Sequence, residues 1–446
     1  MNAICLVIDR LHCGYLGCYG NAWVGAPGLD RLASESFVLD GAYIDSPQLD
    51  SLYRSYWLGE HALARGRQDG RIGNPSYGLP QLLSAAGVST GLVTDATEVA
   101  RHPLTAGFGQ CVEVSTDWPA RPPAELEDTQ MARFFSAVLD ALRDAQPPFL
   151  LWLHSQGMAG PWDAPRDLRE RYVAEDDPSP PDFTRPPALR LPAEPDPDEL
   201  LGIRQAYAAQ VAVLGACVET LADALRESKH AGDTLLVLLS ARGYCLGVHG
   251  MVGTPSGESE PLYGELTSIP WLVRFPDGVG AADRSGAFVQ PADLFATLAD
   301  WYGLLADSGP LPCGPLAPPA DSRQNSPGTA TQSGRELAEQ VGYTRRQVGQ
   351  GSLLSLASGD VSALRDRAAI VSPSGEQALR TPAWYARFLD AERAELYLKP
   401  DDRWEVNDLA CRCSDVVEAM RKALDDCQAD TGAPRNLDEA LVQGVS

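Results

Sequence analysis

Apolar positions along this chain fall into two kinds of pattern. Residues 3–8, 149–153 and 234–239 are unbroken apolar or near-apolar runs, each ending in a polar residue (Asp9, His154, Ser240). Runs of this length without alternation predict strands covered on both faces, as in a parallel sheet. Residues 88–95 and 269–275 read as further strands. Between them, apolar residues recur with helical period. In 131–143, Phe134 or Phe135, Val138, Leu139 and Leu142 share a face; in 207–225, Tyr207, Val211, Leu214, Val218, Leu221 and Leu225 recur at alternating four- and three-residue steps. Residues 29–37, 79–87 (stopped by Gly87), 291–302 and 414–426 also read as helices. Residues 176–198, rich in Pro and acidic side chains, predict a surface excursion, and 378–389 with 394–398 predict a β-meander.

This order predicts a large α/β sandwich followed by a small α+β subdomain. The expected boundaries are 1–302 for the α/β domain, 303–345 for a flexible Pro/Gly/Ser-rich segment, and 346–446 for the C-terminal subdomain. No internal repeat is present.

Composition narrows the function. Sixty acidic against 36 basic side chains give a net charge of −24, which argues against nonspecific binding to nucleic acid or anionic membranes. No run of eighteen apolar residues predicts a membrane span, and the N-terminus enters a strand without a basic n-region or cleavage site. The expectation is a cytoplasmic protein. Ten scattered cysteines without a C-x-x-C pair fit reduced thiols, and Cys411 with Cys413 is too sparse for zinc.

Candidate chemistry centres on residues 45–59, DSPQLDSLYRSYWLG. Asp50, Ser51 and Arg54 have the layout of a nucleophile and an anion clamp at a helix start, where free N–H groups and partial positive charge favour anions. Arg54 grips an anion or pairs with Asp50. Asp9, at the carboxyl end of the first strand, stands where open α/β sheets gather functional residues; it ligates a metal or pairs with Arg10 or Arg242. His154 is a catalytic candidate or a hydrogen-bonded core histidine.

Several ordered blocks resemble the sulfatases of the alkaline-phosphatase superfamily. They are LVIDRLHCGYLGCYGNAWVGAPGLDRLASESFVLDGAYIDSP, LPQLLSAAGVSTGLVTD, GDTLLVLLSARGYCLGVHG, ELTSIPWLVRFPDG, PADLFATLADWYGL and ELYLKPDDRWEVNDLA. The resemblance implies an alkaline-phosphatase-like sandwich: a large, mostly parallel central sheet flanked by helices, plus a small C-terminal subdomain. It also implies hydrolysis of sulfate esters by a formylglycine made from Cys or Ser in C/S-x-P-x-R, beside a divalent metal such as calcium.

This chain departs from that pattern at each active position. Asp50 takes the nucleophile position in one register, with Leu49 and Ser51 as the other registers; none is Cys followed by the expected proline. Of the metal ligands only Asp9 remains, with Arg10 beside it and Ala241-Arg242 at the second ligand pair. Ala159 replaces a second histidine, Thr254 stands near the expected lysine, and Gly215 stands for an aspartate. The expectation is a catalytically impaired member with no metal cofactor. Arg10, Arg54 and Arg242 would hold a sulfated or phosphorylated small molecule or sugar through guanidinium forks. The alternative is an active sulfuric or phosphoric ester hydrolase using Asp50 or Ser51.

Overall fold

An apolar run without alternation needs cover on both faces, and the central sheet provides it. The computed structural model describes residues 1–63, 78–304, 351–429 and 437–438. In chain order the strands of the first 304 residues are β1 (Asn2–Ile8), β2 (Phe37–Ala42), β3 (Ser89–Thr94), β4 (Gln110–Glu113), β5 (Phe149–Ser155), β6 (Leu189–Arg190), β7 (Thr234–Ser240), β8 (Met251–Val252), β9 (Trp271–Arg274) and β10 (Arg284–Val289). Eight of them form one sheet in the order β10-β2-β9-β7-β1-β5-β3-β4, parallel except at β9; β6 and β8 form a separate pair.

β1, β5 and β7 are buried along their whole length, as their unbroken patterns require. Side chains alternate faces along each strand. Ala3, Cys5 and Val7 pack with helices Leu49–Leu58, Leu79–Ala85 and Pro291–Trp301, while Ile4, Leu6 and Ile8 pack with Pro27–Ser34, Gln130–Asp144 and Pro197–Glu227. By length and composition Pro197–Glu227 could cross a membrane, yet 67% of its apolar window is buried in this core.

The C-terminal part is a four-stranded antiparallel sheet, β11 (Ala368–Val371), β12 (Gln377–Arg380), β13 (Trp384–Phe388) and β14 (Ala394–Leu398). One face packs Leu379, Phe388 and Leu396 on Val416, Met420 and Leu424 of helix Ser414–Ala429; the other sends Ala378, Tyr385 and Tyr397 into the main core.

Three strands of the main sheet were not anticipated. The helix expected over 29–37 ends at Ser34, and Phe37 opens β2. β4 is a four-residue exposed edge, and β10 carries Gly286 and a register shift. Short edge strands lack the apolar run that identifies a central one. β11 likewise extends the expected meander by one strand. Most of the segment expected over 303–345 lies outside the described residues.

The topology converges on one point. β1 lies between parallel β5 and β7, with Ile8 level with Ser155 and Ser240. Ser240 Oγ donates to the Ile8 carbonyl at 2.8 Å and accepts from Leu11 N at 3.1 Å, tying the two strand ends together. Tyr207 Oη donates to Arg10 O at 2.7 Å and accepts from His12 N at 2.8 Å, fixing the turn after β1. Gly157 crosses beneath it at φ +53, where a Cβ would sit 2.5 Å from the Asp9 carbonyl. Gly157→Ala is therefore expected to destabilise the fold by about 1–3 kcal/mol, from a left-handed conformation plus a backbone clash. Urea unfolding checks this, and a change below ~0.5 kcal/mol would contradict it.

Candidate functional site at the strand ends

Asp9 follows β1 directly, and Arg242 stands two residues beyond β7, so adjacent parallel strands deliver opposite charges to one place. Arg242 Nε and Nη2 bind the two Asp9 carboxylate oxygens at 3.0 Å each. This fork-on-fork geometry is the strongest form of the interaction. Arg242 Nη1 donates to the Pro47 carbonyl at 2.7 Å and lies 3.4 Å from Glu260 Oε1. Arg10 also pairs with Glu260. Its backbone is left-handed, φ +65, a conformation that costs a non-glycine residue on the order of 1 kcal/mol. The result is a chain of charges, Asp9–Arg242–Glu260–Arg10. Burial would raise the Asp9 pKa, but Arg242 and Arg10 outweigh it and hold the carboxyl below its ordinary value.

Of the alternatives for Asp9, the structure shows the ion pair, with Arg242 as partner and not the adjacent Arg10. The three arginines do not converge. Arg54 lies on helix Leu49–Leu58 and pairs with Glu60 at 2.7 Å, not with Asp50. Gly59 ends the helix at φ +68 and turns the chain so that Glu60 reaches back. Asp50 instead lies 3.3 Å from His102 Nε2. Glu260 was not singled out from sequence; nothing local in its acidic loop marks it as the hub of this cluster.

Residues 49–51 form the first turn of the helix that opens after Gln48. Leu49 is its first residue and lines a cavity of about 750 Å³ together with Asp9 and Arg242. Asp50 borders an adjoining cavity of about 440 Å³, again with Arg242 and Glu260. Ser51 is buried. Thus a leucine, without any nucleophilic atom, is the member of the trio facing Asp9's cavity.

His154 is fully buried on β5, with Nδ1 held by the Tyr53 hydroxyl at 2.5 Å. Trp152 Nε1 in turn donates to Tyr53 Oη at 3.4 Å. Nε2 of His154 has no partner among the described residues. Burial, reinforced by Arg242 and opposed by Asp9, pushes its pKa down to about 4. It is a neutral core histidine at pH 7. Tyr53 is a fully buried core residue whose hydroxyl also makes these hydrogen bonds. Asp95, at the end of β3, was also passed over; burial pushes it up to about 7 although Gln156 N donates to it at 2.6 Å.

The donor set does not fit a divalent cation. Such ions need several hard oxygen ligands. Both Asp9 oxygens are engaged by a guanidinium, Arg10 adds a second positive charge, and Ala241 offers no side-chain ligand. The surrounding crevice is acidic: the larger cavity is lined by Asp9, Glu98 and Glu113 against Arg242.

Residues 1–304 match the family described as Sulfatase, and the chain belongs to that family. Mouse iduronate 2-sulfatase is 22% identical over 377 residues, covering 68% of this chain and 64% of that protein. Human iduronate 2-sulfatase is 24% identical over 361 residues, covering 65% and 62%. The chain therefore spans slightly under two thirds of these curated relatives. Among solved structures, the phosphonate monoester hydrolase of Agrobacterium radiobacter superposes with a TM-score of 0.68 at 13% identity, over 96% of this chain and 95% of that one. A protein solved with its substrate D-glucosamine-2-N,6-O-disulfate superposes with a TM-score of 0.70 at 14% identity, over 97% and 99%. At these identities the likeness is one of fold, the alkaline-phosphatase-like sandwich.

Two outcomes follow from the pairing. Asp9→Asn leaves Arg242 buried opposite a neutral amide and is expected to cost about 3–5 kcal/mol in chemical denaturation; a loss below 1 kcal/mol would mean the pair is not desolvated. His154 has a folded pKa below its unfolded value, so the unfolded chain binds more protons between about pH 6.5 and 4. Its contribution, on the order of 3 kcal/mol, is complete above pH 6.5 and is lost as pH falls through about 4. His154→Gln is expected to flatten the melting-temperature profile over that interval; an unchanged slope would contradict the assignment.

Proposed function

We propose that this chain keeps the sulfatase scaffold without sulfatase turnover. The observation that carries this reading is the bidentate Asp9–Arg242 pair, which uses the one retained metal-ligand position of the family pattern for an internal ion pair. Leu49 facing the same cavity supports it, because a formylglycine hydrate has no precursor there. On this reading the protein uses no divalent cation, and its role is to hold a ligand or a partner in the cytoplasm.

A sulfated or phosphorylated ligand bound through arginines is supported by the solved neighbour that holds a disulfated glucosamine. Such a group would reach Arg10 and Arg242 by displacing Glu260, while Arg54 would have to leave Glu60. The alternative, an ester hydrolase with Asp50 or Ser51 as nucleophile, draws on the exposed Asp50 carboxylate beside His102.

Aryl sulfate and aryl phosphate assays, with calcium, magnesium or manganese added, separate these readings. The expected result is no turnover above that of heat-denatured protein. Turnover that disappears in Asp50→Ala or Ser51→Ala would establish the alternative.

A further inference from the structure

The strand-end crevice is acidic and its arginines are paired, but another part of the molecule has the opposite character. A cavity of about 170 Å³ lies at the seam between the main body and the C-terminal sheet, with His12 and Glu265 on one side and Arg380, Lys399, Arg403 and Glu405 on the other. It shares no lining residue with either crevice cavity. Lys399 and Glu405 neutralise each other at 2.9 Å. Among the described residues, the two guanidiniums have no such compensation.

Arg380 Nε donates to Tyr43 Oη at 3.0 Å and Nη1 bonds main-chain carbonyls, while its charge lies over the Tyr43 and Phe288 rings at 6.0 and 5.7 Å. Arg403 stacks on the exposed Trp404 at 5.1 Å. Among the described residues, neither has a carboxylate within ion-pair distance. Aromatic faces and carbonyls orient a guanidinium but leave it able to take an anion.

Glu265 adds an independent observation. It is buried, and its Oε1 accepts from Leu246 N at 3.0 Å, with His12 Nε2 3.8 Å away. Its Oε2 is buried without any hydrogen-bond partner. Glu265 lines the cavity, and rotation of its carboxylate would present this orphan oxygen to a donor from whatever fills the space.

We propose that the seam cavity binds a small molecule with two features: an oxyanion, held by Arg380 and Arg403, and a hydroxyl or ammonium donor, held by Glu265. Sulfate has no proton to donate at neutral pH, and hydrogen phosphate carries its O–H on the anion itself, so neither supplies a donor separate from the oxyanion. Ten heavy atoms, as in glycerol 3-phosphate, suit a space of this size. The site is independent of the strand-end reading, since its residues belong to neither the Asp9 cluster nor the helix Leu49–Leu58.

Calorimetric titration of the full chain at fixed ionic strength tests it, with inorganic phosphate and glycerol 3-phosphate as probes. The rank order among phosphate, sulfate and acetate identifies the oxyanion. Saturable binding is expected, at least tenfold tighter for glycerol 3-phosphate. Arg380→Gln should weaken both probes tenfold or more, and Glu265→Gln should erase only the advantage of glycerol 3-phosphate. Arg403→Gln, at an exposed position, carries the same test if Arg380→Gln does not fold; Arg133→Gln is the surface control. Absence of saturable binding, equal affinity for the two phosphates, or binding that survives both arginine variants would overturn the proposal. Loss of binding in Arg242→Gln alone would place the anion in the strand-end crevice instead. A hydrolytic activity found there would leave the seam result untouched.

Discussion

One buried ion pair organises the functional end of this molecule. Asp9 and Arg242 come from strands adjacent in space and more than two hundred residues apart in sequence, and each is removed from water when the sheet forms. Desolvation makes either charge alone expensive, and the bidentate geometry offsets most of that cost. The pair is therefore weak evidence of net stabilisation and strong evidence of mutual dependence. Glu260 and Arg10 extend it, and the left-handed Arg10 backbone shows that the fold tolerates local strain to complete the chain of charges.

On the proposed reading, a sulfatase scaffold built around this cluster has a different electrostatic landscape from one built around a metal. The family places a divalent cation among carboxylates. Here guanidiniums provide fixed positive charge, already matched by Asp9 and Glu260, while Glu98, Glu113 and Glu258 keep the surrounding walls acidic. Guanidiniums without a carboxylate partner among the described residues are found instead at the seam with the C-terminal sheet. The contrast between these regions separates retained fold from retained chemistry.

The parts of the fold visible in sequence were those under the strictest constraint. β1, β5 and β7 are covered on both faces, so their runs admit no polar interruption. β2, β4 and β10 are short, partly exposed or interrupted by glycine, and their patterns do not differ from loops. At the site, Asp9 stood out because a strand end is a defined place in an α/β sheet, and Arg10 and Arg242 because they stand where the resembled family has metal ligands. Their partners were not legible. Glu260 reaches the cluster through a loop with no periodic signal, and Arg54 chose Glu60 because Gly59 reverses the chain after the helix. The register of residues 49–51 was likewise open, because nothing in the local pattern says which residue of the first helical turn borders the cavity beside Asp9.

The central claim is that a resident guanidinium takes the place of a divalent ion. Calcium titration of the native chain and of Asp9→Asn, followed by calorimetry after exhaustive chelation, addresses it directly. The account predicts no stoichiometric uptake by the native chain and the same melting temperature with or without chelator. One equivalent of tightly bound calcium, lost when Asp9 is neutralised, would contradict it.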